Sequence, residues 1–218
     1  MSIVRLSAAA LLGYAAGSVL AADAVLRIAR ARGNRADVRK LGSGNPGAAN
    51  VMTALGKRWG AAVLAGDIAK GGLACAAGAA IAGGAGAYVA GTTVVLGHCF
   101  PIFHRFKGGK GVATSLGTAI ACFPVYVPID LAVAGAGFAG SRHAGKATGI
   151  ASVGFVAAAY LWYRFRLPNA WGPRPSIALP AYAAMTSAAI AYKFISEAKL
   201  EARLTAAARQ ANAAELAR

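Results

Sequence analysis

Seven stretches of this chain carry few or no charged side chains, at 4–26, 59–82, 85–98, 112–122, 125–140, 147–163 and 176–195. Apolar runs close to 20 residues are long enough to cross a bilayer as helices. The pattern therefore predicts an all-α, polytopic transmembrane helix bundle with about seven membrane helices. The runs 85–98 and 112–122 are shorter than the roughly 20 residues a crossing requires. They are expected either to extend into their flanks or to stop within the bilayer beside a polar cavity. With 57% hydrophobic and 14% charged residues and a mean hydropathy of +0.53, the chain is too apolar for an ordinary soluble enzyme.

Charge adds a second constraint. Twenty-three Lys and Arg against seven Asp and Glu leave a net charge of +16, more than a lipid-facing bundle needs. A nucleic-acid binder would interleave basic and aromatic residues on a soluble fold, so the Ala- and Leu-rich runs exclude that class of partner. The cysteines Cys75, Cys99 and Cys122 form no C-x-x-C pair and suggest neither a disulfide framework nor a zinc site. The first run holds only Arg5 near its start and is followed by Arg27, Arg30, Arg32, Arg35, Arg39 and Lys40, which marks a retained span and not a cleaved signal. Seven crossings from an outside N-terminus place 27–58, 99–111, 141–146 and the tail from Lys193 in the cytoplasm. The outer links 83–84 and 123–124 are uncharged, but the link 164–175 carries Arg164, Arg166 and Arg174 against the bias. The chain divides into a transmembrane domain at 1–195 and a basic, helical cytoplasmic tail at 196–218. Asp67 and Lys70, three residues apart in an apolar run, are expected to pair inside the bundle.

Two loops carry the polar chemistry. In Lys40-Leu41-Gly42-Ser43-Gly44-Asn45-Pro46-Gly47-Ala48-Ala49-Asn50, three glycines let backbone N–H groups converge, Ser43 and Asn45 add donors, and Pro46 suits the first turn of a helix whose dipole favours anions. This is the pattern of a phosphate or carboxylate cradle, and equally of a flexible turn capping a helix. It lacks the closing Lys-Ser/Thr of a P-loop. In the second, Gly97-His98-Cys99-Phe100-Pro101-Ile102-Phe103-His104-Arg105-Phe106-Lys107-Gly108-Gly109-Lys110-Gly111, two lysines flank paired glycines. Exposed N–H groups and ammonium heads are expected to converge there on a polyanion, with Phe100, Phe103 and Phe106 anchoring the loop at the interface.

At these residues the chain resembles a known family, the bacterial integral-membrane glycerol-3-phosphate acyltransferases that use acyl phosphate as donor, the PlsY family. Asp37 through Val51 looks like its first motif, Asp67-Ile68-Ala69-Lys70-Gly71 like the segment that follows, and Gly97-His98 with Phe106-Lys107-Gly108-Gly109-Lys110-Gly111-Val112-Ala113-Thr114 like its second. The likeness runs over about 5–160. It implies a seven-helix bundle in the bacterial inner membrane whose cytoplasmic site moves an acyl chain from acyl phosphate to the 1-hydroxyl of glycerol 3-phosphate, releasing phosphate, for phospholipid synthesis. No cofactor or metal is implied. Catalytic roles fall on Ser43, His98 and Lys107. Contacts to substrate and phosphate fall on Arg39, Gly42, Gly44, Asn45, Gly47, Asn50, Gly108, Gly109 and Lys110. The chain departs from the family at Thr53, where an Arg is usual, and in the late segment, which reads Tyr192-Lys193-Phe194-Ile195-Ser196-Glu197; a serine-rich third segment is represented by Thr148 and Ser152. These departures fit a catalytically lapsed lipid- or phosphate-binding homologue. An anion transporter is the other alternative, although beyond Asp130 the outer halves of the spans are almost purely apolar.

Overall fold

The computed structural model of the chain describes residues 2–34, 38–39, 41 and 44–216, with the side chains of 208 and 211–216 left aside. Among the described residues there is no strand. Eight α-helices follow one another: α1 (Ile3–Ser18), α2 (Ala21–Ala31), α3 (Ala48–Leu55), α4 (Lys57–Cys99), α5 (Val112–Cys122), α6 (Val127–Ser141), α7 (Ala144–Phe165) and α8 (Ala178–Leu216). Six of the seven apolar runs become one of these helices or an arm of one, and the first is divided between α1 and α2.

The runs 59–82 and 85–98 are the two arms of α4, which folds back at Ala82 (φ −140°) and Gly83 (φ 62°, ψ −156°). The Gly83 conformation is open only to glycine. Beyond this elbow the arms lie so close that a Cβ on Gly86 would fall 2.1 Å from the Gly78 carbonyl oxygen. The same close approach seats α1 on α4, where a Cβ on Gly97 would meet the Tyr14 carbonyl at 2.3 Å. Lipid tails give helices no hydrophobic reason to associate, so such small-residue contacts carry much of the packing.

The first run, expected as one span, consists of two helices with a break between them. Val19 leaves the helix (φ −84°, ψ 111°), and α2 begins two residues later. Carbonyls released at a helix end need partners. Here Lys70 Nζ donates to Gly17 O (3.4 Å) and Val19 O (3.1 Å), while Ser18 Oγ donates to Tyr14 O (2.9 Å) and accepts from Ile102 N (3.3 Å). The break therefore serves the site.

Three stretches are long and apolar enough to cross a membrane, Ile3–Ala31, Lys57–His104 and Ala144–Phe165; Val112–Cys122 and Pro124–Ser141 form a pair bent by 118°. At 1.5 Å per residue α5 is only about 16 Å long, half a hydrocarbon core, so it reaches the other side only together with α6. α8 continues without a break through 195–196. Leu11, Leu73, Val153 and Met185 face outward, as a lipid-facing surface requires.

Contacts sort the connections into two ends. Segment 164–175 packs at the far end: Asn169 Nδ2 donates to Cys122 O (2.9 Å), Trp171 Nε1 to Ile120 O (2.9 Å), and a Cβ on Gly84 would touch Pro173 at 3.0 Å. At the opposite end His104 meets Asp23, Asn45 meets Glu197, and Phe194 lies against Gly145. The four segments expected on one side thus meet at one end, and the three expected on the other side meet at the other. Arg164, Arg166 and Arg174 do not disturb this sorting.

Candidate active site

The first loop is held by Asn50, a residue of α3. Its Nδ2 donates to Val38 O (2.8 Å), Leu41 O (3.0 Å) and Asn45 O (3.0 Å), and the side chain is buried. An amide nitrogen has two hydrogens, so this one is committed to folding the loop and is not available to a substrate. Gly44 adopts φ +67° and donates its N–H to Leu41 O (3.0 Å), closing a turn that only glycine makes easily. Gly47 is the N-cap of α3, so Pro46 precedes the helix instead of opening it, as the sequence had suggested. No side chain caps the α3 N-terminus among the described residues. Arg39 lies outside the cavity described below, with its guanidinium 3.6 Å from Asp23. Ser43 and Gly42 fall outside the described residues.

The second loop leaves the end of α4. His98 is 4% exposed, and its Nδ1 lies 2.8 Å from Lys70 Nζ and 3.4 Å from Asp67 Oδ1. Asp67 and Lys70 are themselves paired at 2.9 Å, as their spacing implied. Gly108 and Gly109 are buried against this group. A Cβ on Gly108 would fall 2.0 Å from the His98 carbonyl oxygen and one on Gly109 2.2 Å from His98 Nε2. The Gly109 N–H donates to His98 O (3.1 Å). These glycines permit close packing, and the N–H of Gly109 is not exposed to a polyanion. Lys107 is exposed on the loop and does not reach the cavity wall. Phe103 and Phe106 are exposed, whereas Phe100 packs on Tyr192 (ring centroids 5.7 Å apart).

One cavity of about 550 Å³ joins the two loops. Asn45, Asn50, Asp67, His98 and Lys110 form its polar end, and Leu116, Ala119, Leu131, Phe155 and Ile190 line its apolar length. The first turns of both α3 (Ala48, Ala49) and α5 (Val112, Ala113) form part of the wall. Their N-cap residues, Gly47 and Gly111, provide no side-chain cap, so among the described residues two positive helix ends border the same space. Thr148 and Ser152 of the third segment line it too. Thr53 does not; its hydroxyl donates to Ala49 O (3.1 Å) on the exposed side of α3.

Sequence reasoning missed the contribution of α8. Glu197 Oε1 accepts from Asn45 Nδ2 (2.9 Å), its Oε2 lies 3.0 Å from Lys110 Nζ, and Lys193 approaches at 3.9 Å. Lys110 also sits 4.6 Å above the Phe194 ring. The available signal was the i, i+4 pair Lys193 and Glu197 at the end of an apolar run, where acidic residues are scarce. Of the residues expected at the site, the cavity brings together Asn45, Gly47, Asn50, His98 and Lys110; Gly108 and Gly109 back it, and Arg39, Gly44 and Lys107 do not line it.

The geometry has counterparts in known proteins. A relative from a Thermoanaerobacter species named glycerol-3-phosphate acyltransferase is 45% identical over 97 residues, which is 44% of this chain and 49% of the relative. One of that name from Rubrobacter xylanophilus is 48% identical over 117 residues (52% and 55%), and one from Bacillus subtilis 43% over 115 (53% and 58%). The matched stretches span about half the length of these curated relatives. The crystal structure of PlsY, an integral membrane glycerol 3-phosphate acyltransferase, in its glycerol 3-phosphate form superposes with a TM-score of 0.72 at 28% identity, covering 92% of each chain; its lysophosphatidic acid form gives 0.71. A family model described as glycerol-3-phosphate acyltransferase matches residues 7–202, and with nine-tenths of its length so matched the chain belongs to the glycerol-3-phosphate acyltransferase family.

Proposed function

We propose that this chain is a multi-pass membrane acyltransferase that joins a fatty acyl group from acyl phosphate to the 1-hydroxyl of glycerol 3-phosphate, giving lysophosphatidic acid and phosphate. The observation that carries this reading is the two-ended cavity: cationic and amide donors with two uncapped helix N-termini at one end, an apolar length at the other. A lipid-forming reaction with phosphorylated reactants needs both ends in one space. Ser43 and Gly42 complete the first cradle on the strength of the family motif, Arg39 and Lys107 supply positive charge around it, and the site faces the cytoplasm of the inner membrane with the N-terminus outside.

An acyl phosphate is already activated. The hydroxyl oxygen of glycerol 3-phosphate attacks the acyl carbon, the bond from that carbon to the phosphate oxygen breaks, and the phosphate leaves with the electron pair. Positioning and charge neutralisation then suffice, with no protein nucleophile. Three acceptors surround Lys70 Nζ, Gly17 O, Val19 O and Asp67 Oδ1, and His98 Nδ1 lies 2.8 Å from it, closer than the 3.4 Å between His98 and Asp67. In the tautomer in which His98 Nδ1 accepts from Lys70, the ring proton is on Nε2. In that form His98 is a donor toward the developing charge, and the hydroxyl proton goes to the donor phosphate.

The test uses the full chain purified in detergent with glycerol 3-phosphate and palmitoyl phosphate. It should form 1-palmitoyl-glycerol 3-phosphate and one equivalent of phosphate without added metal. Turnover with palmitoyl-CoA in place of palmitoyl phosphate would overturn the donor. Absence of product, with glycerol 3-phosphate still raising the melting temperature, would favour the lapsed homologue.

A further inference from the structure

We propose that Glu197 is an internal anion that fills the phosphate position of the cradle in the unliganded protein and is displaced by the phosphate group of a substrate. The inference rests on the reading of that cradle given above. Glu197 grips it as a phosphate would: one carboxylate oxygen accepts from Asn45 Nδ2 at 2.9 Å, and the other sits 3.0 Å from Lys110 Nζ. Asn45 and Lys110 come from different loops and both line the cavity, so the carboxylate bridges the two. A dianionic phosphate arriving at these donors meets a negative charge already bound to them, and both cannot stay.

The side chain is placed to yield. Glu197 is about a quarter exposed and Lys110 about a third. It stands where α8 emerges from the bundle, since residues 198–207 are exposed. A partly exposed ion pair of this kind favours the closed arrangement by only about two- to fivefold. Lys193, on the preceding turn, stands 3.9 Å from the same carboxylate in the closed arrangement. Glu197 thus sets how tightly phosphate is held and keeps the two loops joined when none is present.

The sign of one variant separates this role from the other two available to a carboxylate. Glu197→Gln keeps the shape and removes the charge. If Glu197 competes with phosphate, the variant lowers the KM for glycerol 3-phosphate, for acyl phosphate, or for both, by about two- to fivefold, and the substrate affected is the one whose phosphate uses Asn45 and Lys110. If Glu197 serves to orient Lys110, KM rises; if it takes the proton, kcat falls with KM unchanged. Either result overturns the proposal, as does no change in any parameter. Glu201→Gln, one turn further along the exposed helix, controls for a general effect of charge. A second measurement does not need turnover: titration calorimetry of inorganic phosphate into the detergent-purified full chain should show tighter binding by the same factor in Glu197→Gln. Tighter phosphate binding without acyl transfer keeps the proposal and sinks the assigned reaction. Unchanged phosphate binding with acyl transfer intact sinks the proposal alone.

Discussion

Gly109 offers the sharpest test of how the second loop is built. Replacing it with Ala puts a methyl group 2.2 Å from His98 Nε2, 3.0 Å from Cε1 and 3.1 Å from Cδ2. Restoring an ordinary contact of 3.4 Å requires the ring and the loop to part by roughly 1.2 Å. The ring cannot swing into solvent, because it is 4% exposed and held at 2.8 Å by Lys70, itself fixed by Asp67 and by two carbonyls of the α1 break. The loop cannot retreat freely either, since the Gly109 N–H is bonded to His98 O and Gly108 packs on the same carbonyl. Overpacking of this kind costs about 1–3 kcal/mol of stability. A displacement near 1 Å of a group that positions reactants costs about a hundredfold in rate. Gly109→Ala should therefore keep its fold, with a lowered melting temperature, and lose about two orders of magnitude in kcat/KM for formation of lysophosphatidic acid from acyl phosphate and glycerol 3-phosphate. Gly135→Ala on α6, whose added methyl meets nothing within 4 Å, should change neither quantity. Activity of Gly109→Ala within twofold of the parent would refute the argument, because it would mean that the His98 position is not part of the working geometry.

Lys110→Ala should raise the KM of at least one phosphorylated substrate by about tenfold, the lower end for a charge-assisted contact because the ammonium is one-third exposed; an unchanged KM for both would leave the second loop as an interface anchor only. Asn50→Ala strips the donor from three backbone carbonyls and should lower stability by about 1–3 kcal/mol in thermal unfolding. A variant with full stability and a purely raised KM would show Asn50 to be a substrate contact. Asp23→Asn removes the partner of His104 (2.7 Å) and Arg39 (3.6 Å), both partly exposed, and should raise KM a few-fold with little effect on melting temperature. A single Cys placed at Arg105 should resist a membrane-impermeant maleimide in intact cells and react after permeabilisation, whereas one at Arg166 should react in intact cells; the reverse pattern would invert the topology.

The helical membrane class, the seven apolar runs and the two polar loops were all legible in the sequence, because each depends on local composition: apolar length decides insertion, and Gly with Lys and Asn decides where backbone and cations can meet an anion. Even the Asp67 and Lys70 pair could be read from spacing alone, since burying either charge singly in lipid is prohibitive. What local pattern could not supply is which groups face one another across the fold. Asn50 resembles a ligand contact until Val38, Leu41 and Asn45 are seen to consume its nitrogen. Lys107 and Lys110 are equivalent in sequence, and only the path of the loop puts Lys110 on the cavity and Lys107 outside it. The break at Val19 has no proline to announce it, only the Gly17-Ser18 pair before it; it persists because Lys70, 51 residues away, donates to the freed carbonyls. Glu197 lies 152 residues from Asn45 and enters the site only because the end of α8 returns to the face where both loops lie. Partners at such separations are brought together by helix packing, which one-dimensional periodicity does not encode.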